Sequence, residues 1–337
     1  MVPSSPILLT QAANLAVRHC AQVAKDDRCL IVCDKSRWSE GEAIAGAVLA
    51  LGGIPLLLDV SNEVARYFAT HQRPEPPDHM AAAFAASTFV FSVAEVEYCH
   101  MLGHTEKNQA AQAGGMQYVV VEEDMAGWTT TPEDIDVLYE RTLKVTDLLR
   151  KGKTVSLQTA KGTNVRFQLK PGRKVWNFAA RTAERREALI VPNYAESACV
   201  PWEGTAEGRA LIDGYIIGIG PVSEPVEFII KGGRAVEVNG GVSASKLRAI
   251  MTAADENANN IAECGVCTTH KEKRPYEYDG KPGHFSYGAW GTVHLGIGHS
   301  HTIGGDVHSK IHLDCQIYDA TLYVDDVCVM ENGSYRI

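Results

Sequence analysis

The chain has 337 residues, 45% of them hydrophobic and 22% charged, which suits a soluble globular protein of two domains rather than one. Its formal net charge of −9 argues against a nucleic-acid partner, which would need a basic face. No apolar run reaches the length of a membrane span, and the N-terminus lacks the basic region, long apolar core and cleavage site of a secretory signal, so a cytoplasmic location is expected.

Short apolar strands alternate with helical stretches over the first 150 residues. Cys29-Leu30-Ile31-Val32-Cys33 reads as a strand, and Trp38 to Leu51 as a helix ending at Gly52-Gly53. Ile54 to Val60 is a second strand. Ala81 to Ala86 is helical before a strand over Thr88 to Val93, and Glu106 to Gln112 is helical before a strand over Met116 to Glu122. This rhythm predicts an open, mostly parallel α/β sheet with flanking helices. The first strand is followed by neither G-x-G-x-x-G nor a P-loop pattern, so no nucleotide is expected there.

Thr131-Pro132-Glu133-Asp134 carries a cap, a proline and acids, and opens a helix running to about Arg150. Thr154 to Thr159 and Asn164 to Leu169 flank Lys161-Gly162 as a hairpin. Strands and glycines dominate from there, with one helix around Lys246 to Ala254. The domains are therefore drawn as 1–150, α/β, and 151–337, a β-rich α+β metal-binding domain.

The metal reading starts from histidine. Seven of the twelve histidines fall between residues 270 and 312. The last begins His312-Leu313-Asp314, in a segment where Ile311, Leu313, Cys315 and Ile317 alternate with His312, Asp314 and Gln316. Residues two apart on a strand share a face, so an imidazole and a carboxylate project together from a rigid element. Such pairs suit zinc, manganese, cobalt or iron. Glu196, Glu263 and His294 are three further polar residues set among apolar or small neighbours, where a charge is costly unless paired or metal-bound.

The blocks Pro201-Trp202-Glu203-Gly204-Thr205-Ala206-Glu207-Gly208, Asn260-Ile261-Ala262-Glu263, Val293-His294-Leu295-Gly296-Ile297-Gly298 and His312-Leu313-Asp314 resemble the thermophilic, aminopeptidase T-like metallopeptidases, in order and spacing, over roughly residues 190–330. The resemblance implies a two-metal hydrolase with Glu196, Glu263, His294, His312 and Asp314 as ligands. Asp314 is the natural bridging carboxylate, with Glu196 a second candidate and a catalytic group. It implies one or two divalent ions (Zn, Co or Mn) and a homodimer acting on a small molecule. Seven residues after His294 that family has Tyr, and this chain has His301, an imidazole suited to acid, base or oxyanion duty.

The chain is also similar to the 2,5-dihydroxypyridine 5,6-dioxygenases, which use iron(II) in a His, His, Asp triad. His312 and Asp314 match two of those ligands, and Glu263 stands where the third is His. That mismatch ranks cleavage of an amide or peptide C–N bond first and ring-cleaving dioxygenation second.

Around the ligands, His299, His301 and His308 lie in or beside the glycine-rich stretch from Gly298 to Gly305, and one of them is expected to reach the site. Trp202 and His299 are candidates for contacting substrate. Arg274, in the polar segment from Lys271 to His284, is a candidate for meeting a substrate carboxylate. Cys264-x-x-Cys267 has no second cysteine pair and reads as structural; the nine cysteines as a group read as buried reduced thiols.

Overall fold

The run Cys29 to Cys33 forms the strand Arg28–Cys33, second in order across a five-stranded sheet. Its neighbours, in order across the sheet, are Ile54–Asp59 on one side and Phe89–Ser92, Gln117–Val121 and Leu189–Val191 on the other. Every pairing is parallel, as the strand–helix alternation predicts. The three middle strands are buried on both faces except at Arg28, and most of their residues are apolar, as in a parallel sheet flanked by helices. The fifth strand comes from far along the chain, where Leu189-Ile190-Val191 supplies three buried side chains.

Arg37 ties the ends of these strands together. It is buried, and its guanidinium donates to the carbonyls of Ala94 at 2.8 Å, Val121 at 2.9 Å and Glu122 at 2.8 Å, and to the carboxylate of Glu40. Carbonyls at and just beyond the ends of buried strands are thereby satisfied.

The computed structural model describes residues 5–122, 125–181, 188–192, 194–269 and 291–337. It separates into two units: Met1–Tyr139 with Phe178–Tyr194, which holds the parallel sheet, and Glu140–Asn177 with Ala195–Ile337. The helix Pro132–Lys151 starts where the sequence places it: Thr131 Oγ1 accepts from Asp134 N at 3.2 Å, and the Asp134 carboxylate accepts from Thr131 N at 2.8 Å, a reciprocal cap. No helix among the described residues is long and apolar enough to cross a membrane.

The second unit is β-rich. Thr154–Gln158 and Asn164–Gln168 make the expected hairpin and enter an eight-stranded sheet with Arg234–Asn239, Val226–Lys231, Glu207–Ile212, Thr321–Val324, Val327–Glu331 and Ser334–Tyr335. The hairpin strands alternate buried and exposed residues, as strands with one covered face do. The seven-stranded sheet runs Gly220–Pro221, Tyr215–Ile216, His312–Ile317, Val293–Gly298, Ile261–Cys267, Glu196–Cys199, Trp176–Phe178. Its four central strands are buried at every position. The alternation around His312 therefore does not separate core from solvent: the polar face is as enclosed as the aliphatic one.

Candidate metal centre

Residues directly opposite one another in an antiparallel pair lie on the same face. Cys267 stands opposite Glu196, Gly265 opposite His294, Glu263 opposite Gly296, Gly296 opposite Asp314, and Gly298 opposite His312. The register thus brings Glu196, Glu263, His294, His312 and Asp314, spread over more than a hundred residues of chain, onto one face of four adjacent strands.

The side chains converge there. His312 Nε2 is 3.0 Å from Glu263 Oε2 and 3.2 Å from Asp314 Oδ1. His294 Nε2 is 3.6 Å from Glu196 Oε1, 3.9 Å from Asp314 Oδ1 and 4.0 Å from Glu263 Oε1. Ligand atoms of Glu263, His294 and Asp314 lie within 4.8 Å of one another, as do those of Glu196, Cys267 and His294.

Two glycines make the convergence possible. A Cβ on Gly265 would overlap the His294 ring and come within 2.8 Å of Glu196 Oε1. A Cβ on Gly296 would stand 2.8 Å from Glu263 Cβ and 3.2 Å from His312 Cε1. With bare backbone at both positions, the neighbouring rings and carboxylates lean over the strands and meet. The strand period of two puts these glycines, two residues after Glu263 and two after His294, on the ligand face, and the register gives them their role.

All five groups are withdrawn from water, Asp314 being the most accessible at 8%. Three carboxylates face two imidazoles, so the set carries surplus negative charge unless it holds protons or a cation. Burial works to strip the His312 proton, but hydrogen bonds to Asp314 and Glu263 prevail and its pKa is pushed up to about 10. Burial likewise opposes the charge on His294, yet Glu196 and Asp314 hold its pKa well above the ordinary value. Burial favours protonated carboxyls, but the two imidazoles keep Glu263 and Asp314 below their usual values. This donor set attracts a cation, and a metal would take the place of the imidazole protons.

The imidazoles are oriented from behind. His312 Nδ1 donates to the His299 carbonyl at 2.6 Å, which turns Nε2 toward the carboxylates. Cys267 Sγ lies 3.9 Å from His294 Nδ1.

The other candidates are placed differently. His299 is buried beside the site and acts on it through its backbone carbonyl. His301 is solvent-exposed, its ring stacked on His308 with centroids 4.1 Å apart. Trp202 is 39% exposed, on a turn closed by Thr205 N donating to its carbonyl. Glu203 pairs with Arg173 at 2.8 Å and accepts from Asp306 N at 2.9 Å. Arg274 lies outside the described residues.

The family model for 2,5-dihydroxypyridine 5,6-dioxygenase (NicX) matches residues 9–336. Among solved structures, the 2,5-dihydroxypyridine dioxygenase from Pseudomonas putida KT2440 is similar with a TM-score of 0.76 and 15% identity, covering 99% of this chain and 98% of that one. Wild-type AmpT from Thermus thermophilus is similar with a TM-score of 0.67 and 15% identity, over 98% and 99% of the two chains. At that identity these two likenesses speak of fold. No curated protein sequence matches the chain.

Proposed function

The chain belongs to the 2,5-dihydroxypyridine 5,6-dioxygenase family, and on that footing we propose that it is a non-haem iron(II) dioxygenase opening a hydroxylated pyridine ring. This reverses the order in which the sequence ranks the two chemistries, because the family match runs along the whole chain while the AmpT likeness is one of fold.

The observation that carries the reading is the position of Asp314. Its Oδ1 lies 3.2 Å from His312 Nε2 and 3.9 Å from His294 Nε2, so this carboxylate, with Glu263 at 3.0 Å and 4.0 Å alongside it, faces two imidazoles and completes the donor set of a facial triad. Glu263 stands where the family's second histidine is expected, and His294 supplies the missing imidazole from the neighbouring strand.

His294, His312 and Asp314 would hold the iron, with Glu263 beside them. Iron(II) supplies the one-electron chemistry that lets an aromatic ring combine with dioxygen, both oxygen atoms ending in the product. The protein's residues do the rest. The His299 carbonyl keeps the His312 ring in one orientation. The buried strand faces exclude bulk water from the reacting ring. The Glu196 carboxylate, 3.6 Å from His294 Nε2, takes the proton of a ring hydroxyl as the substrate binds. His301, stacked on His308, has no part in this scheme.

The test is oxygen uptake. Protein loaded anaerobically with iron(II) is expected to consume one dioxygen per ring opened with 2,5-dihydroxypyridine or a related hydroxypyridine, and none when loaded with zinc. Iron-replete protein inert toward a broad panel of such rings would sink the reading.

One feature favours a second reading. Glu196 and Glu263 are two carboxylates beyond what a triad needs, and with His294, His312 and Asp314 they would hold two ions of zinc, cobalt or manganese. Such a pair would supply a water activated toward a small amide or peptide. Turnover of a dipeptide and amide panel by the zinc-, cobalt- or manganese-loaded protein, with no oxygen uptake by the iron form, would select it.

A further inference from the structure

His294 and His312 address the same carboxylates but are held by different partners. Behind His312 stands a backbone carbonyl at 2.6 Å; behind His294 stands the thiol of Cys267 at 3.9 Å. Cys267 ends the strand Ile261–Cys267, lies directly opposite Glu196, and shares its face with Glu263 and Gly265. The spacing of three from Cys264 puts the two thiols on opposite faces, so they do not form a common metal pair. Cys264 instead lies opposite Cys199 and Leu295.

The backbone of Cys267 is pinned on both sides. Its N–H donates to Thr292 O at 3.2 Å, and its carbonyl accepts from the Tyr335 hydroxyl. The residue is fully buried. Gly265 leaves room for the His294 ring to lie across the strand, so that one ring edge meets the carboxylates and the other meets the sulfur. An imidazole presents one nitrogen well to a given metal. With Nε2 turned to Glu196, Glu263 and Asp314, the Nδ1 side is left to the sulfur.

We infer that Cys267 is a positioning residue for the metal centre: its sulfur accepts the Nδ1–H of His294 and aims Nε2 at the metal position. The inference rests on the metal reading proposed above. It also makes the two histidines unequal. The short bond to a carbonyl fixes His312 firmly, whereas the long bond to a soft, weak acceptor holds His294 more loosely.

The experiment compares Cys267→Ala with Cys264→Ala, which removes an equally buried thiol from the opposite face. Cys267→Ala is expected to weaken iron(II) or cobalt(II) binding by about 10–100-fold, Cys264→Ala to leave it unchanged, and Cys267→Ser to restore part of the loss. In metal-free protein with 15N-labelled histidine, the Nδ1–H of His294 is expected to exchange slowly and to exchange faster in Cys267→Ala. This second readout needs no metal, so it decides the Cys267–His294 contact even if the wild type binds none and the proposed function falls. Equal affinity and equal proton exchange in wild type and Cys267→Ala would overturn the inference. So would a sulfur-to-cobalt charge-transfer band in the wild type that Cys267→Ala abolishes, because the thiol would then be a ligand itself. If Cys267→Ala does not fold, Cys267→Val, which fills the space but offers no acceptor, decides by the same measurements.

Discussion

His312 Nδ1 donates to the carbonyl oxygen of His299 at 2.6 Å, and this bond aims the opposite nitrogen at Glu263 and Asp314. A carbonyl only accepts, so the proton sits on Nδ1 and the lone pair of neutral His312 lies on the metal side. His312→Ala and Asp314→Asn are each expected to lower metal affinity by at least about 100-fold, beyond the usual cost of losing a supporting group. Elemental analysis of protein purified without a metal-affinity tag should find fewer metal atoms per chain in both variants, with the circular dichroism of the wild type retained. Full occupancy in either variant would remove that residue from the ligand set.

Gly265 has no side chain because the His294 ring occupies that space. Gly265→Ala is expected to cost about 1–3 kcal/mol through overpacking and to displace His294 from the carboxylates. Urea denaturation measures the first effect and metal titration the second. Gly296→Ala is expected to be milder, because its nearest contact, Glu263 Cβ at 2.8 Å, is less severe than overlap with a ring. Wild-type affinity in Gly265→Ala would show that the ring has another place to go.

Five buried ionisable groups with surplus negative charge make the metal a structural partner too. At a free metal concentration of about 1,000 times Kd, binding adds about 4 kcal/mol to stability. Chelation is therefore expected to lower the thermal midpoint by several degrees, and the fitting ion to restore it. A midpoint that ignores chelator would argue against a resident metal.

Asp325 supplies a pH test remote from the metal. Its carboxylate accepts from Thr154 N at 2.9 Å, Thr154 Oγ1 at 3.0 Å and Lys153 N at 3.1 Å. Partial desolvation works against the charge, but these bonds outweigh it and hold the pKa below the ordinary aspartate value of 3.8. A depressed folded value means that the stabilisation is full above the unfolded pKa and is lost as pH falls through the folded one. Asp325→Asn, which keeps a residue tolerant of the φ of 51° at this turn, is expected to be less stable than wild type near pH 6. The gap should close on acidification below 3.8. A gap independent of pH would assign the effect to something other than the charge.

Much of this architecture is legible in the residues because the governing interactions are local. The parallel sheet follows from strand and helix periodicity, and the helix Pro132–Lys151 from its cap. The hairpin around Lys161-Gly162 is equally local. The fifth strand of the first sheet is not legible, since Leu189-Ile190-Val191 is too short to announce a partner dozens of residues away. The site divides the same way. Each of Glu196, Glu263, His294, His312 and Asp314 stands out as a polar residue in an apolar context. The contribution of His299 does not, because it is made by a carbonyl that every residue possesses.

By itself, then, the sequence determined the α/β class, the β-rich second half and five residues suited to a metal. Those depend on side-chain type and on the strand period of two, which act within a few residues. Only the tertiary structure decided that four strands pair in a register placing all five on one buried face. The same register sets Gly265 and Gly296 where the rings need room and Cys267 behind His294. Register is a property of pairs of strands: a one-residue slip in any of them would turn its ligands to the other face, and no single segment encodes its partner's alignment.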